Sequence, residues 1–506
     1  MQNLQEMCYN LIMRRDKKRL DYRFTMLRKF YISAWMIFIL VGCLGLSCCS
    51  KGHKTQVILI SIDTLRGDHI TPYGYYRNTT PNLQALVKDS LYFKNGYTNG
   101  CWTIPSHMSL LTGTLPSRHG VNRDISIFTR KKSTTPPETI KLISEILKAG
   151  VPGIKTAKFA NLPSKLGFAR GFEFNRNIDP FADDIQFEKL INQLRSYNNL
   201  DFFLFIHTWM VHAPYSNSQF LQVKDLTQEK KWIIDNFRQL SNQEKENILG
   251  RKPKNQHKDF IIILKRFGLF DSNSCQDLYD GGIKYVDQYI GRLINELKKL
   301  GIYENTMIII TSDHGEHFSE RNKKIFYDFH GRKFFEEFIK VPIILKVPQQ
   351  KKHGIITKPI SLIDIFPSIL SYFKIPIPKY AQGESLLTNH SKKQVKHIVS
   401  EAVADPKIEK KMIREGDFKL IITMKNPGGR GRMNWNQACY RKLFNLKTDP
   451  EEKHNLWRNL EFRNIALKLE KTLRNLLKDS ITISGERKET EVDQETIKHM
   501  KSLGYI

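Results

Sequence analysis

Three apolar runs in this chain each end in a residue that can do chemistry. QVILISID from Gln56 closes on Asp63, DFFLFIH from Asp201 closes on His207, and TMIIITSD from Thr306 closes on Asp313, with His314 next. Two carboxylates and an imidazole form a ligand set for a divalent cation, which the hydroxyl of Thr103 could complete. Such an ion lowers the pKa of a hydroxyl and offsets negative charge on an ester, which is what attack on a sulfuryl or phosphoryl centre requires. The competing account of the Asp-His pair is a capped helix with a solvated imidazole, and that of Thr103 in Thr-x-Pro-Ser is an N-cap before a helix.

The elements that must position these residues follow from hydrophobic pattern. Each run is continuously apolar, as a strand buried on both faces requires, and VPIILKV from Val341 to Val347 is a fourth. Between the runs lie amphipathic stretches. Asp280 to Leu300 has Tyr285, Ile290, Leu293, Ile294 and Leu297 at helical spacing, with Gly301 as a stop. Strands alternating with helices predict an α/β fold: a mostly parallel sheet sandwiched between helices, with ligands gathering at the strand C-terminal ends. After about residue 395, shorter runs separated by Gly and Pro turns predict a small C-terminal antiparallel α+β subdomain and a helical tail. Residues 54–394 are then the catalytic domain, 395–506 the subdomain and tail, and the charged helical stretch 221–271 a surface insertion.

GCWTIPSHMSLLTG, from Gly100 to Gly113, resembles the sulfatase signature C-x-P-S-R-x-x-L-L-T-G, whose leading Cys or Ser is oxidised to formylglycine. In that alignment the nucleophile falls on Thr103 and the signature Arg on His107, while Cys101 lies two residues out of phase. DTLRGD from Asp63, YGY from Tyr73, TTPNL from Thr79 and PSRHG from Pro116 follow the order of bacterial sulfatase-like enzymes. So do YDGGIKYVD from Tyr279, TSDHGE from Thr311, the His330-Gly331 pair, REGDFKL from Arg414 and LFNLKTDPEE from Leu443.

The resemblance covers the chain from about Lys54 onward and implies an alkaline phosphatase-like fold and a metal-dependent ester hydrolase. It implies Asp63, Thr103, Asp313 and His314 as metal ligands. His212, in a His-x-Pro-Tyr context, and His330 would contact the ester oxyanion or protonate the leaving group, and His107 would take the place of the signature Arg. His207 is a candidate substrate contact, with a strand-end His satisfied by backbone as the alternative. Arg66 and Lys340 are candidate anion contacts or else surface charges.

Three departures shape the chemistry. Sulfatases usually carry paired Asp residues on the first strand and all-oxygen ligands suited to calcium, whereas here Thr64 follows Asp63 and His314 follows Asp313. An imidazole favours manganese or zinc over calcium, as in the related phosphonate monoester hydrolases and nucleotide phosphodiesterases. Met210-Val211 stand where the family has Asp-Pro, which removes a carboxylate for a second ion, so one ion is expected. With Thr103 as nucleophile no formylglycine is expected, and a threonine ester cannot shed sulfate by collapsing to an aldehyde. The expected reaction is attack by Thr103, a covalent ester and its hydrolysis by water. Phosphate and phosphonate esters therefore join sulfate esters as expected substrates, carried on a small molecule, glycan or lipid. Two other readings stay open: a phosphoethanolamine- or phosphoglycerol-type transferase, whose known examples carry several spans, and a degenerate non-catalytic binding protein.

The formal charge of +29 is spread along the 506 residues without an RNA- or DNA-binding motif, so no nucleic-acid partner is expected. Cys8, Cys43, Cys48 and Cys49 fall in or before an N-terminal leader, and Cys101, Cys275 and Cys439 are too scattered for a zinc-thiolate site. Arg28 and Lys29 precede a charge-free apolar run from Phe30 to about Cys49, which reads as a secretory leader or a single membrane span. Within it LVGC, ending at Cys43, resembles a bacterial lipobox. Residues 1–53 are thus expected to be an extension plus signal or anchor, and the remainder to lie outside the cytoplasm, membrane-anchored as a lipoprotein or by one span.

Overall fold

The structure is a computed structural model. It describes residues 54–121, 132–223, 226–318, 333–349, 353–387, 396–405, 408–425, 435, 438–478, 489–491, 494 and 497. The expected leader within residues 1–53 and His330 lie outside these residues. From Thr55 onward the chain forms one compact unit. Among the described residues no helix is long and apolar enough to cross a membrane.

The described strands are, in chain order, β1 (Gln56–Ile62), β2 (Leu91–Tyr97), β3 (Lys132–Thr134), β4 (Lys155–Phe159), β5 (Phe174–Arg176), β6 (Phe202–Thr208), β7 (Thr306–Thr311) and β8 (Lys340–Lys346). They continue with β9 (Gly354–Ile356), β10 (Ile360–Ser361), β11 (His397–Asp405), β12 (Ile408–Glu415), β13 (Phe418–Lys425), β14 (Ala438–Asn445) and β15 (Glu489–Glu491). The large sheet has the order β10-β2-β8-β7-β1-β6-β4-β5, with β9 beside β2. β1 is parallel to both β6 and β7, and every residue of these three strands is buried. Two-sided burial explains their unbroken apolar runs. Ile58, Ile60 and Ile62 enter one core with Leu190 and Leu194 of the 184–196 helix, while Val57 and Leu59 enter the opposite one with Met108, Leu111 and Phe366. Each large aliphatic side chain buried this way stabilises the fold by about 1.5–3 kcal/mol before entropy is counted.

The predicted mostly parallel sheet between helical layers is therefore what forms, with one change of direction. The VPIILKV run is β8, which lies antiparallel to β7 and to β2. The predicted Asp280–Leu300 helix starts earlier, at Ser272, because Asp271 caps it by accepting from the Ser274 amide at 2.9 Å.

The stretch 221–271, expected to be a surface insertion, contributes side chains to the core. It folds into helices Gln228–Asn236, Asn242–Leu249 and Gln256–Arg266, whose Ile234, Phe237, Phe260 and Ile263 join the same core as Ile60 and Val211. The C-terminal strands make the expected antiparallel sheet, in the order β11-β12-β13-β14, backed by Leu469, Leu473 and Leu477 of the 463–478 helix. β11 is tied to the large sheet by Asn99, whose amide donates to Val399 O at 2.8 Å, and by Ser117, whose hydroxyl donates to Glu401 at 2.8 Å.

Candidate active site

Register brings the chemistry to one sheet edge. Ile62 pairs with Thr208, and Ser61 with Thr311, so Asp63 and Asp313 emerge side by side where β1 and β7 end. After Asp63 the chain turns sharply: Thr64 adopts φ +59°, left-handed backbone that costs a β-branched residue about 1 kcal/mol or more. The turn is held from both sides. The Thr64 amide donates to Asp313 Oδ1 at 3.3 Å, and Tyr279 Oη donates to Thr64 O at 2.7 Å while accepting from the Arg66 amide at 2.8 Å.

Thr103 is the first residue of the 103–112 helix, and Trp102 takes the cap position. Its hydroxyl is therefore not used as an N-cap. It lies 3.4 Å from Asp63 Oδ2 and 3.3 Å from His314 Nε2, at the end of a helix whose dipole favours anions. His314 Nε2 is 3.5 Å from Asp63 Oδ1 and 3.5 Å from Asp313 Oδ2, and its Nδ1 is fixed by Gly315 O at 2.9 Å. Gly315 is required here, since a Cβ would sit 1.9 Å from Glu337 O.

Asp63, Asp313 and His314 fit a metal ion. Their ligand atoms lie within 4.8 Å of one another, all three residues are buried, and Asp313 Oδ2 accepts no hydrogen bond from any described residue. Ligand atoms about 3.4 Å apart suit a four-coordinate ion with bonds of about 2.1 Å, or a six-coordinate one with bonds of about 2.4 Å.

A second group, His107, His207 and Asp313, also lies within 4.8 Å. His107 is already committed, however: Nδ1 is 2.9 Å from Thr103 O and Nε2 2.9 Å from Ser61 Oγ. Burial, together with the neighbouring His207, pushes its imidazole down to about 3, so it stays neutral. It stands behind Thr103 as a brace to β1. His207 is 1% exposed, sits 3.4 Å from Asp63 Oδ2, and neither ring nitrogen has a hydrogen-bond partner among the described residues. Burial pushes the Asp63 carboxyl up, but the His207 imidazole 3.4 Å away, with those of His212 and His314, outweighs it and holds Asp63 below the usual carboxylate range.

His212 follows β6 in a short turn and is buried near Asp63. Its Nδ1 is 2.7 Å from Ala213 O, which fixes the orientation of the ring. The Arg66 guanidinium pairs with Asp68 at 2.7 Å and donates to Glu316 O at 3.1 Å. Lys340 is half-buried at the first position of β8, opposite Tyr97 on β2 and at the sheet edge where β7 ends. His330 lies outside the described residues.

The sequence reading missed two charged groups beside His212. Asp179 accepts from the Trp209 amide at 2.8 Å and from Thr208 Oγ1 at 3.0 Å, and burial pushes it up to about 6. Arg238, from the stretch taken for an insertion, packs its guanidinium 4.7 Å from the centre of the Trp209 ring. Neither carries a motif; only the fold shows them.

Comparison with known proteins agrees with this geometry. The sulfatase family model matches residues 55–375, well over half of the chain, and a model of the N-sulphoglucosamine sulphohydrolase C-terminal region matches residues 325–479. An N-acetylglucosamine-6-O-sulfatase from Bacteroides thetaiotaomicron is 24% identical over 87% of this chain and 89% of its own. An arylsulfatase from Clostridium perfringens is 23% identical, covering 81% and 92%. Among solved structures, one in complex with its substrate D-glucosamine-2-N,6-O-disulfate superposes with a TM-score of 0.61 at 20% identity, over 84% of this chain and 98% of that one. A phosphonate monoester hydrolase from Silicibacter pomeroyi superposes with a TM-score of 0.60 at 17% identity, over 87% and 100%. Fold, order of motifs and the buried Asp63-Asp313-His314 edge together place the chain in the sulfatase family, as a hydrolase of sulfuric esters.

Proposed function

We propose that the chain hydrolyses sulfate or phosphate/phosphonate esters with the Thr103 hydroxyl as nucleophile and one divalent ion held by Asp63, Asp313, His314 and Thr103. The observation that carries this reading is the position of Thr103 Oγ1, 3.4 Å from Asp63 Oδ2 and 3.3 Å from His314 Nε2 rather than on its own helix end. When bound, the ion lowers the hydroxyl pKa and offsets charge on the ester oxygens, and the imidazole ligand favours manganese or zinc over calcium.

Thr103 Oγ attacks sulfur or phosphorus in line with the ester oxygen, and its proton passes toward Asp63 Oδ2. His212 Nε2 gives a proton to the leaving oxygen, and His207 faces the oxyanion. Water then attacks the Thr103 ester and releases the inorganic anion, with Thr103 regaining its proton. His107 keeps Thr103 in register with β1. Relatives that act on sulfated sugars support sulfate esters as substrates. The missing second hydroxyl at Thr103 supports phosphate and phosphonate esters, because a threonine ester has no aldehyde route. The charge-free run from Phe30 to Cys49 supports an enzyme exported and held at a membrane.

A substrate panel tests this reading. Purified protein loaded with manganese or zinc is assayed on para-nitrophenyl sulfate, para-nitrophenyl phosphate, the bis-nitrophenyl phosphate diester and a phenylphosphonate ester. Turnover of at least one is expected, lost on chelation. No turnover of any ester by a metal-loaded, folded protein would contradict it.

A further inference from the structure

The residues from Trp209 to Asn217, which carry His212, form no helix or strand, so other elements must hold them. One support is the Gly281–Gly282 face of the 272–299 helix. A Cβ on Gly281 would lie 2.4 Å from Asn217 O, and one on Gly282 3.1 Å from Met210 O. The other support is Arg238. Its Nε donates to Pro214 O at 3.1 Å and to Ser216 Oγ at 3.0 Å, and its Nη2 donates to Trp209 O at 3.3 Å and to His212 O. One guanidinium thus grips the loop at, before and after His212, while Asp179 accepts from the Trp209 amide at 2.8 Å.

We propose that Arg238 is the positioning residue for His212, fixing the loop so that the imidazole meets the leaving oxygen. This rests on the reading of His212 as the leaving-group acid. The planar fork of an arginine suits the task, because its donors leave in fixed directions and span several carbonyls; a lysine ammonium is a single point of contact. Burial lowers the guanidinium only to about 10, opposed by Asp179 and Asp63, so it remains charged at neutral pH. The stretch 221–271 is then a working wall of the active site.

The test is a double-mutant cycle with Arg238→Gln, Arg238→Lys, His212→Ala and the double variant Arg238→Gln/His212→Ala, each compared by thermal melting with the parent. Each is assayed on para-nitrophenyl sulfate and phenyl sulfate, or on the matching phosphates if the panel selects them. A phenolate leaves poorly without a proton and a nitrophenolate leaves well, so loss of the acid shows mainly on the phenyl ester. Arg238→Gln should lower kcat on the phenyl ester by roughly tenfold to a hundredfold, with KM little changed and a much smaller effect on the nitrophenyl ester. The Arg238→Gln effect should disappear in the His212→Ala background. Arg238→Lys, which keeps the charge if the Gln variant fails to fold, should show the same leaving-group-dependent loss. Full activity in Arg238→Lys, a rise in KM without loss of kcat, or additive losses in the double variant would overturn the proposal while leaving His212 in place. An unaffected His212→Ala enzyme would overturn the assignment of His212 and this proposal with it.

Discussion

Thr103 and His314 show how little separates a structural residue from a chemical one. Thr103 sits one position inside its helix rather than at the cap, and that single step turns its hydroxyl from the orphan amides of the first turn to the edge of β1. His314 has its Nδ1 fixed by Gly315 O, which leaves Nε2 aimed at the space between two carboxylates. His314→Ala should therefore weaken metal binding sharply, read by titration of the chelated protein, and recovery of activity should be better with manganese or zinc than with calcium. Recovery with calcium alone would point to the all-oxygen sulfatase type of site. His314 was legible because it follows an apolar run, and Thr103 because it stands in a recognisable motif. The partners of His107 were not: the motif alignment sets it where the signature Arg stands, and the structure adds that its nitrogens lie 2.9 Å from Thr103 O and from Ser61 Oγ.

At the scale of elements, strands buried on both faces announced themselves, whereas strands with buried charge did not. β12 reads IEKKMIRE and escapes any apolar pattern, because Lys411 points inward and pairs with Glu401 and Glu409 in a fully buried cluster. The direction of β8 was equally hidden, since an apolar run has no polarity. β4 contains another buried cation, Lys158, whose ammonium reaches Leu162 O and Asn177 Oδ1, both at 3.0 Å. Burial lowers it from the ordinary lysine 10.5 to about 7. Between these values the unfolded chain binds more protons than the folded one, so this residue makes stability rise with pH, by at most about 1.4 kcal/mol per pH unit. Below about 7 both states carry the charge and the burial penalty is complete. Lys158→Met should accordingly be less responsive to pH than the parent, so that parent-minus-variant stability from denaturant melts increases between neutral pH and about pH 9. A difference that stays constant or falls over that range would show that the ammonium remains charged in the fold.

Across the whole molecule, the site divides into a buried sheet edge and a wall held by long-range hydrogen bonds. The edge, made of Asp63, Thr103, Asp313 and His314, is buried and was readable from strand ends and one motif. The wall, made of the His212 loop, Asp179 and Arg238, depends on contacts between residues far apart in sequence and on a guanidinium drawn from an otherwise unremarked charged stretch. The most direct test of the account is a rapid quench in acid during turnover of the best panel substrate, followed by peptide mass spectrometry. The account predicts an added sulfuryl or phosphoryl group on the peptide carrying Thr103, no such adduct and no turnover in a Thr103→Ala protein, and an unchanged melting transition in that variant. Turnover that survives Thr103→Ala, or an adduct on another residue, would contradict it.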